Sequence, residues 1–350
     1  MVSRPRSSRL RRSPLRGDGP PSGRSSGGRS PAGRARRGRG WRAVLAALVV
    51  ASVAVPVSGA AGPGAVPAPE PAALAPLGAA TPAALTGRYA AVRDGIRAAG
   101  RAAAAHGDRG RAAALRAMAD PHRHFLSFDG RDGGRTAEVF GDLSRAGRIA
   151  VLVPGSDTSL DRYARFRSGA TALQRELGAG SAVVAWLGYR TPDTVSPVVL
   201  TPDRAREAAP QLRAFVGQLG VLRPAARVAL LCHSYGSVVC GQAAAGLRVA
   251  DIVLYGSPGT GAESAAALRT PATVWAGRAA GDWVAHVPHT RLPLPFTTLG
   301  LGPDPLSPEF GARRFAAGTG GHSDYLTPHS PSLENLARIV LGRTPAKEPR

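Results

Sequence analysis

Cysteine, lysine and aromatic residues are all scarce in this 350-residue chain. It has two Cys, Lys347 is its one lysine, and aromatic residues make up 5% of the sequence. Two cysteines exclude a disulfide-rich scaffold, and no Cys/His cluster has the spacing of a zinc site. Hydrophobic residues nevertheless make up 43% of the chain, so Leu, Val and Ala can form a sizeable core.

Acidic residues are nearly absent from the N-terminal tail. Residues 1–42 contain 13 Arg and one acid, Asp18, whereas the remaining residues carry 32 basic and 22 acidic side chains. The net charge of +22 is therefore +12 in the tail and +10 elsewhere. The tail has too little apolar surface to fold, so we expect it to be disordered. No aromatic residue interleaves with its Arg before Trp41, so we predict no nucleic-acid partner.

A long hydrophobic run is also missing. Residues 43–57 (AVLAALVVASVAVPV) are apolar, but they fall short of the ~20 residues that span a membrane. A basic segment, a short apolar run and an exit of small residues are typical of a secretory signal. We therefore predict a secreted or cell-envelope protein with cleavage near Ala60. The alternative is that residues 43–57 remain as a membrane anchor.

Composition divides the chain into five parts. In residues 82–119, apolar residues recur at helical spacing on both sides of Gly107. This predicts two helices that form a hairpin or a cap on the main domain. The predicted parts are an Arg-rich tail and secretory signal (1–61), a Pro/Ala linker (62–81), a helical segment (82–119), an α/β domain (120–343) and a short tail (344–350).

Strands and helices alternate through the α/β domain. The predicted main strands are apolar on both faces, which is typical of a mostly parallel sheet that helices cover on both sides. Two shorter strands, over 125–128 and 137–140, flank a Gly-rich turn and precede them. The main strands are predicted over 149–153, 182–187, 227–231, 251–255 and 273–276, and the helices over 160–177, 202–219, 237–247 and 333–341.

A serine stands at one sharp strand-to-helix junction. Residues 228–237 (VALLCHSYGS) run from a buried strand directly into a helix, the context in which a tight elbow exposes a nucleophilic hydroxyl. The elbow needs small residues two positions before and after Ser234. Gly236 meets this need, whereas Cys232 occupies the position where glycine is usual. The following helix would direct its first N–H groups toward an oxyanion.

A serine nucleophile needs a histidine base and an acid that orients the base, and in this architecture they follow it in the order acid, then histidine. Asp282 lies just beyond the strand at 273–276, and His322 lies on a Gly-rich loop before the last helix. We predict that Ser234, Asp282 and His322 form a catalytic triad. The rival acids are Asp304 and Glu309, and the rival bases are His286 and His289.

Two backbone N–H groups are expected to form the oxyanion hole. One belongs to Tyr235, the residue after the nucleophile. The other belongs to Ser156, in the loop after the strand at 149–153, with Asp157 as the alternative. The side chain of His233 is expected to point away from the reacting centre, as a packing or rim residue.

Five other side chains leave more than one interpretation open. Cys232 and Cys240 are expected to remain reduced, because one ends a strand, the other lies two turns into a helix, and their Cα separation should exceed ~7 Å. Trp186, Tyr189 and Trp283 lie near strand ends. They could line an acyl pocket or pack at the end of the sheet.

The sequence resembles the α/β-hydrolase superfamily and, within it, an actinobacterial group of hydrolases known as DUF1023. The resemblance spans most of residues 120–330, including residues 125–141. It implies an α/β-hydrolase fold and a Ser/Asp/His triad that matches Ser234, Asp282 and His322. The stretches that carry it are VLVPGSDTS (151–159), AVVAWLGYRTP (182–192), CHSYGS (232–237) and GGHSDYL (320–326).

Together these features predict a secreted serine hydrolase that cleaves a small-molecule or lipid ester and needs no metal or organic cofactor. Two alternatives remain open. One is an acyltransferase that uses the same triad. The other is a non-catalytic envelope-binding module, whose basic surplus outside the signal could bind anionic wall polymers. Separately, the N-terminal segment could associate the protein with the membrane or cell wall.

Overall fold

The computed structural model describes residues 68–347. The predicted Arg-rich tail, the apolar run over 43–57 and the cleavage position near Ala60 lie outside the described residues. Residues 68–81 contain no helix or strand. Within the described residues, no helix is both long and apolar enough to span a bilayer.

Two helices precede the sheet. Helix α1 (Pro82–Ala105) begins at Thr81, whose hydroxyl accepts the Ala84 N–H, and α2 (Arg109–Met118) begins at Asp108, whose carboxylate accepts the Arg111 N–H. The two helices pack on each other, and α1 also contacts the first strand. The predicted hairpin is therefore also a cap on the sheet.

An eight-stranded sheet forms the centre of the described chain, in the order β1-β2-β4-β3-β5-β6-β7-β10. Strand β2 pairs antiparallel with both β1 and β4, and every other neighbouring pair is parallel. The seven longer strands are β1 (His124–Asp129), β2 (Arg135–Gly141), β3 (Arg148–Val153), β4 (Ser181–Leu187), β5 (Arg227–His233), β6 (Asp251–Tyr255) and β7 (Thr273–Gly277). Strands β8 (Leu292–Pro293) and β9 (Thr298–Leu299) form a separate hairpin, and β10 (Arg313–Arg314) extends the sheet beyond β7.

Helices cover both faces of this sheet. The alternate residues of β3 show how: Val151 and Val153 pack in one cluster with α4 and α5, and Ala150 and Leu152 pack in the other with α3 and α6. Because both faces are buried, the strands read as continuous apolar runs. The prediction of an α/β-hydrolase fold is confirmed. These helices are α3 (Tyr163–Leu177), α4 (Asp203–Leu222), α5 (Gly236–Ala243) and α6 (Pro331–Val340).

The prediction that Cys232 and Cys240 remain reduced is wrong. They form a disulfide, with their Cα atoms 6.4 Å apart. The chain reverses so sharply at Ser234 that α5 packs back against β5. Cys240, about one turn into the helix, therefore lies close to Cys232 at the end of the strand, within the Cα separation that a disulfide can bridge.

Candidate active site

The predicted site residues meet at the carboxyl edge of the sheet. Ser234 follows β5, Asp282 follows β7, and His322 lies in the loop between β10 and α6. Parallel strands end at the same edge, so residues far apart in the chain are brought together there. The order of the strands places β6 between β5 and β7, and the first residue after β6 is Gly256.

Ser234 adopts the conformation that the elbow requires. Its φ is 52°, in the left-handed region that a non-glycine residue rarely occupies. Its N–H donates to the carbonyl of Tyr255 at 3.0 Å, and α5 begins two residues later. A Cβ at Gly236 would lie 2.5 Å from the Val153 carbonyl oxygen, so only glycine fits this side of the turn. On the other side Cys232 is accommodated, with its sulfur bonded to α5.

His322 links the serine to the aspartate. Its Nε2 lies 2.9 Å from Ser234 Oγ, and its Nδ1 lies 2.8 Å from Asp282 Oδ1. A carboxylate can only accept, so Nδ1 carries the hydrogen and Nε2 is left to accept the serine hydroxyl. The structure thus brings the three predicted residues into one hydrogen-bonded chain.

The rival residues lie elsewhere. Asp304 accepts a hydrogen bond from Arg278 Nη2 at 2.8 Å, and its nearest histidine contact is His289 Nε2 at 3.8 Å. Glu309 and His286 are exposed. These residues do not join the Ser234–His322–Asp282 chain.

Asp282 is buried, with 1% of its surface exposed, and its carboxylate accepts three hydrogen bonds. Besides the bond from His322, Oδ1 accepts the Val284 N–H at 2.9 Å, and Oδ2 accepts the Tyr325 hydroxyl at 2.5 Å. Burial by itself would raise the pKa of Asp282, but these hydrogen bonds outweigh burial and hold the pKa below its ordinary value. The carboxylate therefore stays charged beside His322.

Two neighbours of this carboxylate, Tyr325 and Gly256, were not predicted from the sequence. Tyr325 is buried, and its hydroxyl also accepts the Ala279 N–H at 3.1 Å. Gly256, with a φ of 57°, leaves room for the site, because a Cβ there would lie 2.9 Å from Asp282 Oδ2. Tyr325 belongs to the GGHSDYL stretch, so its position three residues after His322 was a usable signal. For Gly256, the sequence carries no signal apart from its position directly after a predicted strand.

The two predicted oxyanion donors border Ser234. Gly155, next to Ser156, is so close that a Cβ on it would lie 2.6 Å from Ser234 Cβ. Within the described chain, the N–H groups of Ser156 and Tyr235 donate no hydrogen bond. The alternative donor, Asp157, is already engaged, because its N–H donates to the Pro192 carbonyl at 3.0 Å. This favours Ser156 over Asp157 as the partner of Tyr235.

Of the three aromatic candidates for an acyl pocket, Trp283 alone lies at the site. Its ring is 4.8 Å from that of His322, and half of its surface is exposed. Trp186 and Tyr189 stack on each other in the core, and the Tyr189 hydroxyl donates to the Pro154 carbonyl. For these two the packing interpretation is correct.

Two exposed apolar segments border the same edge. The Tyr235 hydroxyl donates to the Thr201 carbonyl at 2.7 Å, and the Gly300 N–H donates to the Leu200 carbonyl at 2.7 Å. These bonds bring residues 195–201 and the β8–β9 hairpin beside the elbow. The exposed apolar side chains of the two segments are Val195, Val198, Leu200, Leu292, Leu294 and Phe296. In residues 68–347, no group of three or more His, Cys, Asp or Glu is placed to hold a metal ion.

Comparison with known proteins agrees with this architecture. A family model described as "Alpha/beta hydrolase" matches residues 129–292. Uncharacterised proteins of Mycobacterium tuberculosis and Mycobacterium bovis are 31% identical over 178 residues, which cover 44% of this chain and 66% of theirs. The match thus spans just under two thirds of the length of these relatives.

Solved structures that match part of this chain include a serine hydrolase without a lid from Xanthomonas campestris. It is 18% identical, with a TM-score of 0.40, and the match covers 63% of this chain and 92% of that one. The esterase LipW from Mycobacterium marinum is 15% identical, with a TM-score of 0.37, and the match covers 74% and 88% of the two chains. The family match over residues 129–292 and the sheet topology both agree with the α/β-hydrolase fold that the sequence predicts.

Proposed function

We propose that this protein is a serine hydrolase that cleaves carboxylic esters through an acyl-enzyme. The observation that carries the proposal is the continuous chain of hydrogen bonds from Ser234 Oγ through His322 to Asp282, with the serine on a strained elbow. Nucleophile, base and orienting acid within hydrogen-bond reach are the signature of an activated serine.

In the proposed reaction, His322 Nε2 takes the proton of Ser234 as Oγ attacks the carbonyl carbon. The N–H groups of Ser156 and Tyr235 hold the oxyanion, and Asp282 stabilises the imidazolium that forms. His322 then gives its proton to the leaving alcohol, which breaks the ester bond and leaves the acyl group on Ser234. Water, activated by the same imidazole, attacks the acyl-enzyme and releases the acid. The steps use no metal or organic cofactor.

An ester with an apolar acyl or alcohol group is the substrate class that we propose. The support is Trp283, half-exposed beside His322, together with the exposed apolar side chains on residues 195–201 and the β8–β9 hairpin. A substrate that covered these side chains would remove apolar surface from water, which favours binding by about 25 cal/mol per Å².

Export of the protein is also part of the proposal. Its support is the basic and apolar N-terminal sequence, together with the Cys232–Cys240 disulfide. Disulfides persist in oxidising compartments and are rare in a reducing cytosol.

Hydrolysis of p-nitrophenyl esters of increasing acyl length tests this proposal. We expect turnover by the wild-type protein, with a loss of at least about 1000-fold in Ser234→Ala and in His322→Ala. Both variants should keep the wild-type circular dichroism spectrum. Addition of an alcohol acceptor separates hydrolysis from acyl transfer, because a transferase would form the new ester in place of the free acid. Equal turnover by wild type and Ser234→Ala would refute the proposal.

A further inference from the structure

The residue before the proposed nucleophile contacts the backbone of the proposed base. His233 ends β5, and its Nε2 lies 2.8 Å from the carbonyl oxygen of His322. A carbonyl oxygen can only accept, so Nε2 must carry the hydrogen and the ring donates. This bond joins two segments that are 89 residues apart in the chain.

Three aromatic rings hold His233 in this orientation. Its ring centroid lies 4.7 Å from that of His322, 5.1 Å from that of Tyr255 and 5.8 Å from that of Tyr325. Burial, and next the neighbouring His322, lower the pKa of His233 to about 4. The ring is therefore neutral at neutral pH. A neutral ring with its hydrogen on Nε2 adds no positive charge beside His322, which must itself accept a proton in the proposed reaction.

The loop that carries His322 is held on both sides of it, by the Ala280 N–H bond to the Gly318 carbonyl and by the Tyr325 hydroxyl bond to Asp282. Within the described residues, however, the bond from His233 is the one hydrogen bond to the backbone of His322 itself. Gly320 and Gly321 precede His322, and glycine leaves the backbone unusually free. The hydrogen bonds that close this turn run between Gly321 and Asp324, within the loop itself. The hydrogen bonds to Ser234 and Asp282 orient the imidazole ring, whereas the bond from His233 holds the backbone beneath that ring.

We propose that His233 is a positioning residue that fixes the backbone of His322 relative to Ser234. Because His233 is covalently joined to Ser234, its hydrogen bond to the His322 carbonyl sets the distance between nucleophile and base. It does not touch the reacting atoms. The kinetic effect that we expect rests on the proposed function. The restraint of the His322 backbone by the His233 hydrogen bond does not depend on that function.

Two variants separate the role of the His233 hydrogen bond from that of its ring, and a third serves as the control. His233→Phe keeps an aromatic ring but removes the donor, and His233→Gln restores an N–H donor without the ring. His124→Phe is the matched control: His124 is also partly buried and stacked on an aromatic ring, that of Tyr89, but it lies on β1 at the far end of the sheet.

Steady-state kinetics with a p-nitrophenyl ester give the first readout. We expect kcat to fall about 10- to 100-fold in His233→Phe with KM within twofold of wild type, because small misplacements of a catalytic group are costly. His233→Gln should recover most of this loss, and His124→Phe should match wild type. An unchanged kcat in His233→Phe, or equal losses in the Phe and Gln variants, would overturn the proposal.

Amide hydrogen exchange over residues 320–326 gives a readout that needs no activity. Loss of one hydrogen bond should speed exchange of the Gly321 and Asp324 amides about 3- to 10-fold in His233→Phe, and His233→Gln should not show this change. Unchanged exchange in His233→Phe would overturn the proposal that His233 holds the backbone of His322. If wild type neither turns over esters nor differs from Ser234→Ala, the proposed function fails, and the exchange result still decides the role of His233.

Discussion

At the scale of single residues, the carboxylate of Asp282 shows how the site is held in one protonation state. Its three hydrogen bonds come from a ring, a backbone amide and a phenol, and all three are directed at a buried group. Two of these donors, Tyr325 and Val284, lie outside the proposed triad. The triad therefore depends on groups that a search for Ser, His and Asp alone would not find.

Tyr325→Phe tests the importance of the phenol. The substitution leaves Asp282 Oδ2 buried without this donor, and a hydrogen bond to a charged group contributes ~1.5–3 kcal/mol. We expect kcat to fall about 10- to 100-fold, because the carboxylate orients and stabilises the His322 imidazolium less well. Tyr163→Phe removes another buried hydroxyl, on α3, and should leave kcat unchanged. Equal activity of the Tyr325 variant and wild type would show that Asp282 does not need this donor.

At the scale of secondary structure elements, the disulfide fastens α5 to the end of β5. The elbow between them carries Ser234 and the Tyr235 N–H. The disulfide therefore holds the proposed nucleophile and one proposed oxyanion donor in fixed positions. Both sulfur-bearing residues are fully buried. The disulfide thus stabilises the strained turn on which the proposed chemistry depends.

Cys240→Ala should lower the free energy of unfolding by about 2–3 kcal/mol. This is the loop-closure contribution expected for a short disulfide loop, here with a sequence separation of 8. Urea unfolding with and without a reductant measures it. Reductant should destabilise the wild-type protein and leave the variant unchanged. Wild-type stability that does not respond to reductant would contradict the prediction.

The elements also show what the sequence could and could not predict. The meeting of Ser234, Asp282 and His322 was predictable, because parallel strands end at one edge, Ser234 and Asp282 follow strands with a clear apolar pattern, and His322 precedes the last helix. Strand β10 has only two residues, which is too short for any periodicity. The disulfide and the His233 contact depend on how sharply the chain turns at Ser234, a three-dimensional property that residue spacing does not record.

At the scale of the whole molecule, the stability of the fold should depend on pH through the site. The folded-state pKa of His233 is about 4, below its ordinary value of 6.5. As the pH falls from 6.5 toward 4, the unfolded chain therefore binds a proton that the folded protein does not. Stability is fully present above pH 6.5 and is lost as the pH falls through this window. Asp282, whose pKa is also lowered, adds a further loss as the pH falls through its folded-state pKa.

Denaturant unfolding at pH 7 and pH 4.5 measures this dependence. The His233 contribution to the loss should be about 2–3 kcal/mol, since one pKa unit corresponds to ~1.36 kcal/mol. His233→Phe should show a smaller difference between the two pH values than wild type. His124 also has a lowered pKa, so some dependence should remain in that variant. The same pH difference in wild type and His233→Phe would contradict this account.

Labelling with a fluorophosphonate, followed by peptide mass spectrometry, tests the central claim most directly. Such a probe reacts with a serine only when a base has activated it. We predict one adduct per chain, on the peptide that contains Ser234, and its loss in Ser234→Ala and His322→Ala. Labelling that persists in Ser234→Ala, or wild-type protein that takes up no probe, would contradict the assignment of Ser234 as the nucleophile.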